Sequence, residues 1–387
     1  MDSLNIAVFG CWNEGCKENS GQRSVVQILK KNEDKYKFMV ILGDNYYADK
    51  IILNKDNELK AKLTNLIEAK SGFECLKNIN LEKKLIMGNH DVQDSLDKGC
   101  SILKTQLKLP WYDVKFPYSY DFYYLKNENI YQTILFIYLD TTIYDEKIND
   151  DNSCYKSTIN KTIDQLKEEQ KNFIKKTLEI TINKPINFIK NIVFFGHEPL
   201  LTYKDKKVKD SDESIVKLSI LKELLDLLFE EKIKYSKLNF YWICADYHIY
   251  QNTEIINNKS NDKITQWIFG TGGGELDIPG TKNYFDFLTY HVNILPNIVF
   301  DSNNNDISNI FTSNGLNRFG YGEIIFDLCS VKHKFIMSNH EPIKKDKKDK
   351  KDKKINEVSE VSELDDGFKK KYFKYKNKYI KFKNRLI

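Results

Sequence analysis

Five short apolar runs along this chain each stop at a glycine or alanine and pass at once into residues that can bind a metal. The runs at 5–10, 37–43, 84–88, 191–196 and 238–245 lead into Cys11-Trp12-Asn13, Asp44-Asn45-Tyr46-Tyr47, Asn89-His90-Asp91, His197-Glu198-Pro199 and Asp246-Tyr247-His248. Rich in Ile, Val and Phe, the runs read as strands of an α/β sheet buried on both faces. In such a sheet the carboxyl ends of neighbouring strands gather at one edge, where ligands bind. Carboxylate, imidazole, amide, phenol and thiol groups collected there suit divalent or trivalent metals. One shared carboxylate can bridge two ions about 3.5–4 Å apart, an arrangement that activates water against a phosphoryl group. A lone histidine after a strand is more often a satisfied structural residue, and Gly-Asp-Asn can be a plain turn. The recurrence at five strand ends favours the metal reading. His291, His333 and His340 break the pattern and read as structural or surface residues.

Further strands are expected at 133–140 and 266–270, and a hairpin at 320–339. Helical spacing marks 24–31, 58–76, 162–178 and 214–230, the last with Leu218, Leu221, Leu225 and Leu228 on one stripe. The polar, acidic segment 143–160 and the Asn-rich segment 298–319 read as solvated loops, and Trp12 as a core residue. With 387 residues, 41% apolar and 30% charged, the chain can bury one large core. No apolar stretch approaches the roughly 20 residues of a membrane span. The N-terminus has no basic region or apolar core of a secretory signal. Seven cysteines without repeating spacing suggest a reducing compartment, hence an intracellular, cytoplasmic protein.

The net charge of +5 is uneven: from Lys344 onward there are seventeen basic and eight acidic residues, and the remainder is mildly acidic. Lys-Lys-Asp repeats make 341–366 a solvated linker, leaving a globular domain at 1–340 and a terminal helix at 367–387. In that helix Phe368, Tyr372, Tyr375, Tyr379, Phe382 and Leu386 form an aromatic stripe among lysines. It can dock on protein, bind nucleic acid through phosphates and bases, or lie on an anionic membrane.

The motif set resembles the purple acid phosphatases, the tartrate-resistant type in particular, within the calcineurin-like metallophosphoesterases. Gly43-Asp44-Asn45-Tyr46-Tyr47, Gly88-Asn89-His90-Asp91, Gly196-His197-Glu198-Pro199 and Leu139-Asp140-Thr141 carry the likeness, in order, over about residues 5–340. The resemblance implies a four-layer sandwich, two mixed β-sheets flanked by helices. It also implies two metal ions, iron, zinc or manganese, acting on a phosphate ester through a metal-bound hydroxide. Asp44 would bridge them, Tyr47 and His248 would bind the first, Asn89 and His197 the second, and His90 would assist the leaving group. The loop after Leu-Asp-Thr can overhang the site in this family. The tail is similar to tails on proteins of giant amoeba-infecting viruses, which implies host cytoplasm or a virion as the setting.

Two positions depart from the family pattern. Cys11 stands where the family carries an aspartate on the first metal, and Asp246 where it carries a histidine on the second. Both replacements are donors. Thiolate is softer than carboxylate and shifts preference from iron toward zinc. Asp246 adds a negative charge, so a slow phosphatase with a less acidic pH optimum is expected. Alternatively, Cys11 is a small strand-end residue or pairs with Cys16 on oxidation, and the protein is a weak or inactive scaffold that makes contacts through its tail.

Overall fold

The computed structural model describes residues 3–12, 20–47, 72–93, 100–127, 130–182, 189–207, 214–257, 259–273, 298–301, 319–328 and 330–338. All lie in the first of the two units into which the chain divides, Met1–Pro342. The expected linker and basic helix lie outside them, as do His291, His340 and most of the expected helix at 58–76, of which Gly72–Lys77 is seen.

The expected apolar runs are strands. The first sheet contains β1 (Ser3–Phe9), β2 (Phe38–Leu42), β3 (Glu82–Ile86) and β4 (Asp113–Val114), all parallel, with the hairpin β14 (Gly320–Asp327) and β15 (Val331–Met337) added antiparallel beside β1. The second sheet has a parallel centre of β6 (Ile130–Leu139), β7 (Ile189–Phe195), β10 (Asn239–Cys244) and β12 (Lys263–Phe269). Antiparallel strands flank that centre: β5 (Tyr118–Asn127) on one side, β11 (Tyr250–Asn257) and β13 (Ile298–Asp301) on the other.

Alternation within each strand explains the layers. Ile6, Val8, Val40, Leu42 and Ile86 face the other sheet and pack with Phe136, Tyr138, Val193, Phe195 and Ile243. Their neighbours Ala7, Phe9, Met39, Ile41 and Leu85 face outward and are covered by Val25 and Leu29 of the helix Gly21–Asn32. That helix starts at Ser20, whose hydroxyl accepts from the Arg23 amide at 3.2 Å. On the far side Leu135, Ile137, Phe194 and Trp242 pack against Ile174 and Leu178 of the helix Ile163–Ile182 and Leu224, Leu225 and Leu228 of the helix Lys222–Lys234. Two mixed sheets flanked by helices result, with both sheet faces buried and no need for polar alternation.

Four expectations give way, one of them at Ile298–Asp301, which opens the segment expected as a loop but is strand β13. The helix expected at 214–230 begins only at Lys222; Ser214–Ile220 is strand β9, paired antiparallel with β8 (Leu201–Lys207) as a separate ribbon. Leu218 therefore sits opposite Tyr203 in a ladder, and the chain turns at Leu221, whose amide donates to the Leu200 carbonyl at 3.0 Å. The Leu spacing fitted a helix, but Ile215, Val216 and Ile220 suit a strand and a partner strand was at hand.

The segment 143–160 is anchored rather than solvated. It holds a turn at Thr142–Tyr144, buried Ile143, Ile148 and Tyr155, and a short helix, Tyr155–Ile159. Cys154 in this segment is joined to Cys100 by a disulfide, and Cys75 is also disulfide-bonded. Reading the cysteines as reduced is thus overturned, and the intracellular assignment loses the argument it rested on; such bonds persist in oxidising surroundings. No described helix is long and apolar enough to cross a membrane.

Candidate metal centre

The two sheets meet at the carboxyl ends of β1, β2, β3, β7 and β10. Cys11 N–H donates to the Gly43 carbonyl at 3.1 Å and ties the end of β1 to that of β2. Ala245 N–H donates to the His197 carbonyl at 2.8 Å and ties β10 to β7. Glycines permit the crossing between sheets. At Gly43, which has φ +86°, a Cβ would lie 2.6 Å from His197 Nδ1 and 2.7 Å from the Gly88 nitrogen. At Gly88 it would lie 2.5 Å from Asp44 Oδ1. Any side chain at either position would push the strand ends apart.

Asp44 is the hub. Its Oδ2 accepts from the Tyr47 hydroxyl at 2.9 Å and lies 3.9 Å from Cys11 Sγ. Its Oδ1 accepts from the His90 amide at 3.2 Å and lies 3.2 Å from His197 Nε2. Burial alone would raise this carboxyl, but the positive charge of His197, then of His90, holds it well below the usual carboxylate range. The Tyr47 hydroxyl also lies 3.2 Å from His248 Nε2, and its ring packs on His90 with centroids 4.7 Å apart. Burial, followed by the negative charges of Asp44 and Cys11, pushes the Tyr47 phenol well up.

His197 is fully buried. Its Nδ1 is 2.7 Å from the Leu42 carbonyl, which can only accept, so Nδ1 carries the hydrogen. Nε2 is left without a hydrogen-bond partner, 3.2 Å from Asp44 Oδ1 and 3.7 Å from Asp246 Oδ1. Lone pairs on that nitrogen and on two carboxylates face one another, so a proton or a metal ion belongs between them. Burial would keep the ring neutral, yet the Asp44 charge drives its pKa well above the ordinary imidazole value. A metal ion serves the same role, and the donor set fits one: Cys11, Asp44 and His197 offer ligand atoms all within 4.8 Å of one another.

Six of the residues singled out from the sequence are linked to Asp44, and the Asn89 side chain reaches only the neighbouring His90 amide. Cys11, Tyr47, His90 and His197 adjoin Asp44 directly; His248 is reached through Tyr47 and Asp246 through His197. The Asn89 side-chain oxygen accepts from the His90 amide at 3.1 Å, and Asn89 opens the short helix Asn89–Val92 behind Gly88. Trp12 is fully buried among Phe9 and Phe73, and its indole N–H donates to the Asn45 side-chain oxygen at 3.2 Å. His333 is structural, stacked on Trp267 and 2.7 Å from the Tyr250 hydroxyl.

Two supporting residues escaped the sequence reading. Buried Asp91 accepts from Gly88 N at 2.8 Å, Gln106 Nε2 at 2.8 Å and Asn45 N at 3.0 Å, clasping the Asp44 and Asn89 loops together. Burial, then the nearby Asp44 charge, raises its pKa to about 6. Thr141 Oγ1 accepts from the His197 and Glu198 amides at 2.9 Å and donates to the Glu198 carboxyl, fixing the start of the β7 loop. Burial pushes Glu198 up to about 8. Their signal was present, as the Asp of Asn-His-Asp and the Thr of Leu-Asp-Thr, but neither points to a metal-binding role by type alone.

Two solved structures are similar to this chain. One is described as "GAP50 the anchor in the inner membrane complex of Plasmodium", at TM-score 0.50 and 16% identity, covering 89% of this chain and 87% of that one. Another is the structure of PhoD, at TM-score 0.46 and 11% identity, covering 87% of this chain and 68% of that one. No curated protein matches the sequence. The family model for calcineurin-like phosphoesterases matches residues 4–250, which takes in all five donor-bearing strand ends, and the chain belongs to that family.

Proposed function

We propose that the chain is a binuclear metal-dependent phosphoesterase of the purple acid phosphatase kind, acting on phosphate monoesters. Asp44 would be shared by two ions, with Tyr47 and His248 available to one and Asn89 and His197 to the other. Bound there, the ions supply positive charge to the phosphoryl oxygens and lower the pKa of water. The chain's own residues do the rest. Asp44, held well below the usual carboxylate range by the charges of His197 and His90, presents an ionised carboxylate to the site. Tyr47 keeps the Asp44 carboxylate and the His248 ring in fixed relation through its hydroxyl. His90, half-buried against the Tyr47 ring, hands a proton to the departing alcohol oxygen. The observation that carries this reading is the bare His197 Nε2 facing the Asp44 and Asp246 carboxylates.

Iron, zinc or manganese fills the pair, with zinc favoured by Cys11. With a thiolate and an extra carboxylate the cluster is less positive than in the relatives it resembles, so the rate optimum lies at a less acidic pH. The basic tail at 367–387 adds contacts to polyanions, nucleic acid or anionic membrane, and its likeness to tails on proteins of giant amoeba-infecting viruses supports such an origin. A second reading, a phosphatase fold kept as a scaffold, is favoured by the changed positions Cys11 and Asp246 and by the likeness to a protein described as an anchor. Hydrolysis of an aryl phosphate by the metal-loaded full chain and by Asp44→Ala separates the two. Turnover abolished in the variant supports the enzyme, and no turnover in either at any pH supports the scaffold.

A further inference from the structure

We infer that the Cys100–Cys154 disulfide is a redox-sensitive clamp on the metal centre. Closed, it holds Asn89 and His90 in place beside Asp44; opened by a dithiol, it lets that loop move and loosens the hold on metal. The inference adds regulation to the metal-centre reading above and rests on it.

The bond joins two segments that each lead to the site. Cys100 stands just before the helix Ser101–Gln106. At the far end of that helix Gln106 Nε2 donates to Asp91 at 2.8 Å, and Asp91 in turn holds the Gly88 and Asn45 amides, which adjoin Asn89 and Asp44 in the chain. Cys154 lies in the segment that follows β6. Its neighbour Tyr155 donates to Asp140 Oδ2 at 2.7 Å, and Thr141, next to Asp140, accepts from the His197 amide at 2.9 Å. One covalent link therefore stands between the supports of Asp44 and Asn89 and the support of His197.

The second segment also grips the His90 helix directly. Cys154 N–H donates to the Val92 carbonyl at 2.8 Å, and Ser153 forms an antiparallel bridge with Gln93. Val92 closes the short helix that carries Asn89, His90 and Asp91. A single helical turn is not stable by itself, so its place is set by what it is tied to. Two adjacent residues, Ser153 and Cys154, thus fasten the chain at Gln93 and again at Cys100. Cutting the S–S bond leaves main-chain contacts at Val92 and Gln93 to hold what a covalent link held.

Burial couples the bond to the metal. Both cysteines are buried, so a reductant reaches the sulfurs only when the segment opens locally. One thiolate of the dithiol then attacks a sulfur to form a mixed disulfide, which its second thiol resolves. Cys100 and Cys154 end as thiols and the dithiol as its own disulfide, two electrons and two protons having passed to the protein. Metal held at Asp44 and His197 favours the closed form, so it should protect the bond, and the bond should favour the metal.

Zinc affinity and the rate of reduction, measured on the full chain, test this. The protein carrying both Cys100→Ser and Cys154→Ser should keep the wild-type circular dichroism and bind zinc about tenfold or more weakly. In the wild type a water-soluble phosphine opens the bond, itself becoming the phosphine oxide, and alkylation with mass spectrometry of the peptides bearing Cys100 and Cys154 counts the thiols. Zinc-loaded wild type should open about tenfold or more slowly than stripped wild type, and Asp44→Ala at one rate with or without zinc. A folded double-serine protein with wild-type zinc affinity, or a wild type reduced equally fast with and without zinc, overturns the inference and leaves the metal centre standing. If the double-serine protein loses its circular dichroism, the reduction rates alone decide. A wild type that binds no zinc overturns the metal-centre reading, and the inference with it.

Discussion

His197 Nε2 stands 3.2 Å from Asp44 Oδ1 while the other ring nitrogen is committed to the Leu42 carbonyl at 2.7 Å. This pair joins the two sheets, because Asp44 follows β2 of the first and His197 follows β7 of the second. The carbonyl fixes the tautomer and therefore aims a lone pair at a carboxylate, which is how a protein prepares an imidazole for a metal.

His90 presents its ring beside the hub, and its main-chain amide already helps hold Asp44. Replacing it with alanine should leave that amide in place and remove only the proton donor. His90→Ala is expected to lower kcat on an alkyl phosphate by about 100-fold or more, with a much smaller loss on a nitrophenyl ester, whose leaving group needs no proton. Equal losses on both substrates would show that the ring acts otherwise.

Asp91 satisfies buried donors from three segments, Asn45, Gly88 and Gln106. Asp91→Ala leaves them unpaired and should destabilise the fold by about 2–4 kcal/mol. Urea unfolding would read this as a lower midpoint. Asp91→Asn, which keeps one acceptor oxygen, should recover part of the loss.

Asp140 is buried, and burial raises its carboxyl to about 6 despite the hydrogen bonds from Thr142 and Tyr155 that favour the ionised form. The folded chain thus holds this proton more tightly than the unfolded chain does. The stabilisation is complete below the unfolded value near 3.8 and is lost as pH rises through about 6. The shift amounts to about 3 kcal/mol. Asp140→Asn should therefore become more stable relative to wild type on going from pH 4 to pH 7. Chemical unfolding of both proteins at the two pH values measures it, and a difference that does not change with pH would refute it.

Much of the architecture could be read from residue types because strands buried on both faces are nearly continuous apolar runs, and the donors follow them directly. The strand β9 could not, because Leu218, Leu221, Leu225 and Leu228 fit a helical stripe and only the neighbouring β8 decides otherwise. Nor could the anchoring of 143–160, where acidic residues hide Ile148 and Tyr155, or the Cys100–Cys154 bond, which spans 54 residues. At the site, residue type pointed to candidate donors, but which of them adjoin depends on how two sheets cross. The nearness of Cys11 to His197, and the clasp made by Asp91, are products of that crossing.

The claim beneath all of this is that the strand ends form a cradle for metal ions with Asp44 at its centre. Elemental analysis of the purified full chain, equilibrated with zinc and freed of excess, tests it most directly. Two ions per chain in the wild type, and their loss in Asp44→Ala that keeps the wild-type circular dichroism, is the predicted result. A wild type that retains no metal, or an Asp44→Ala protein that retains as much as the wild type, would contradict it.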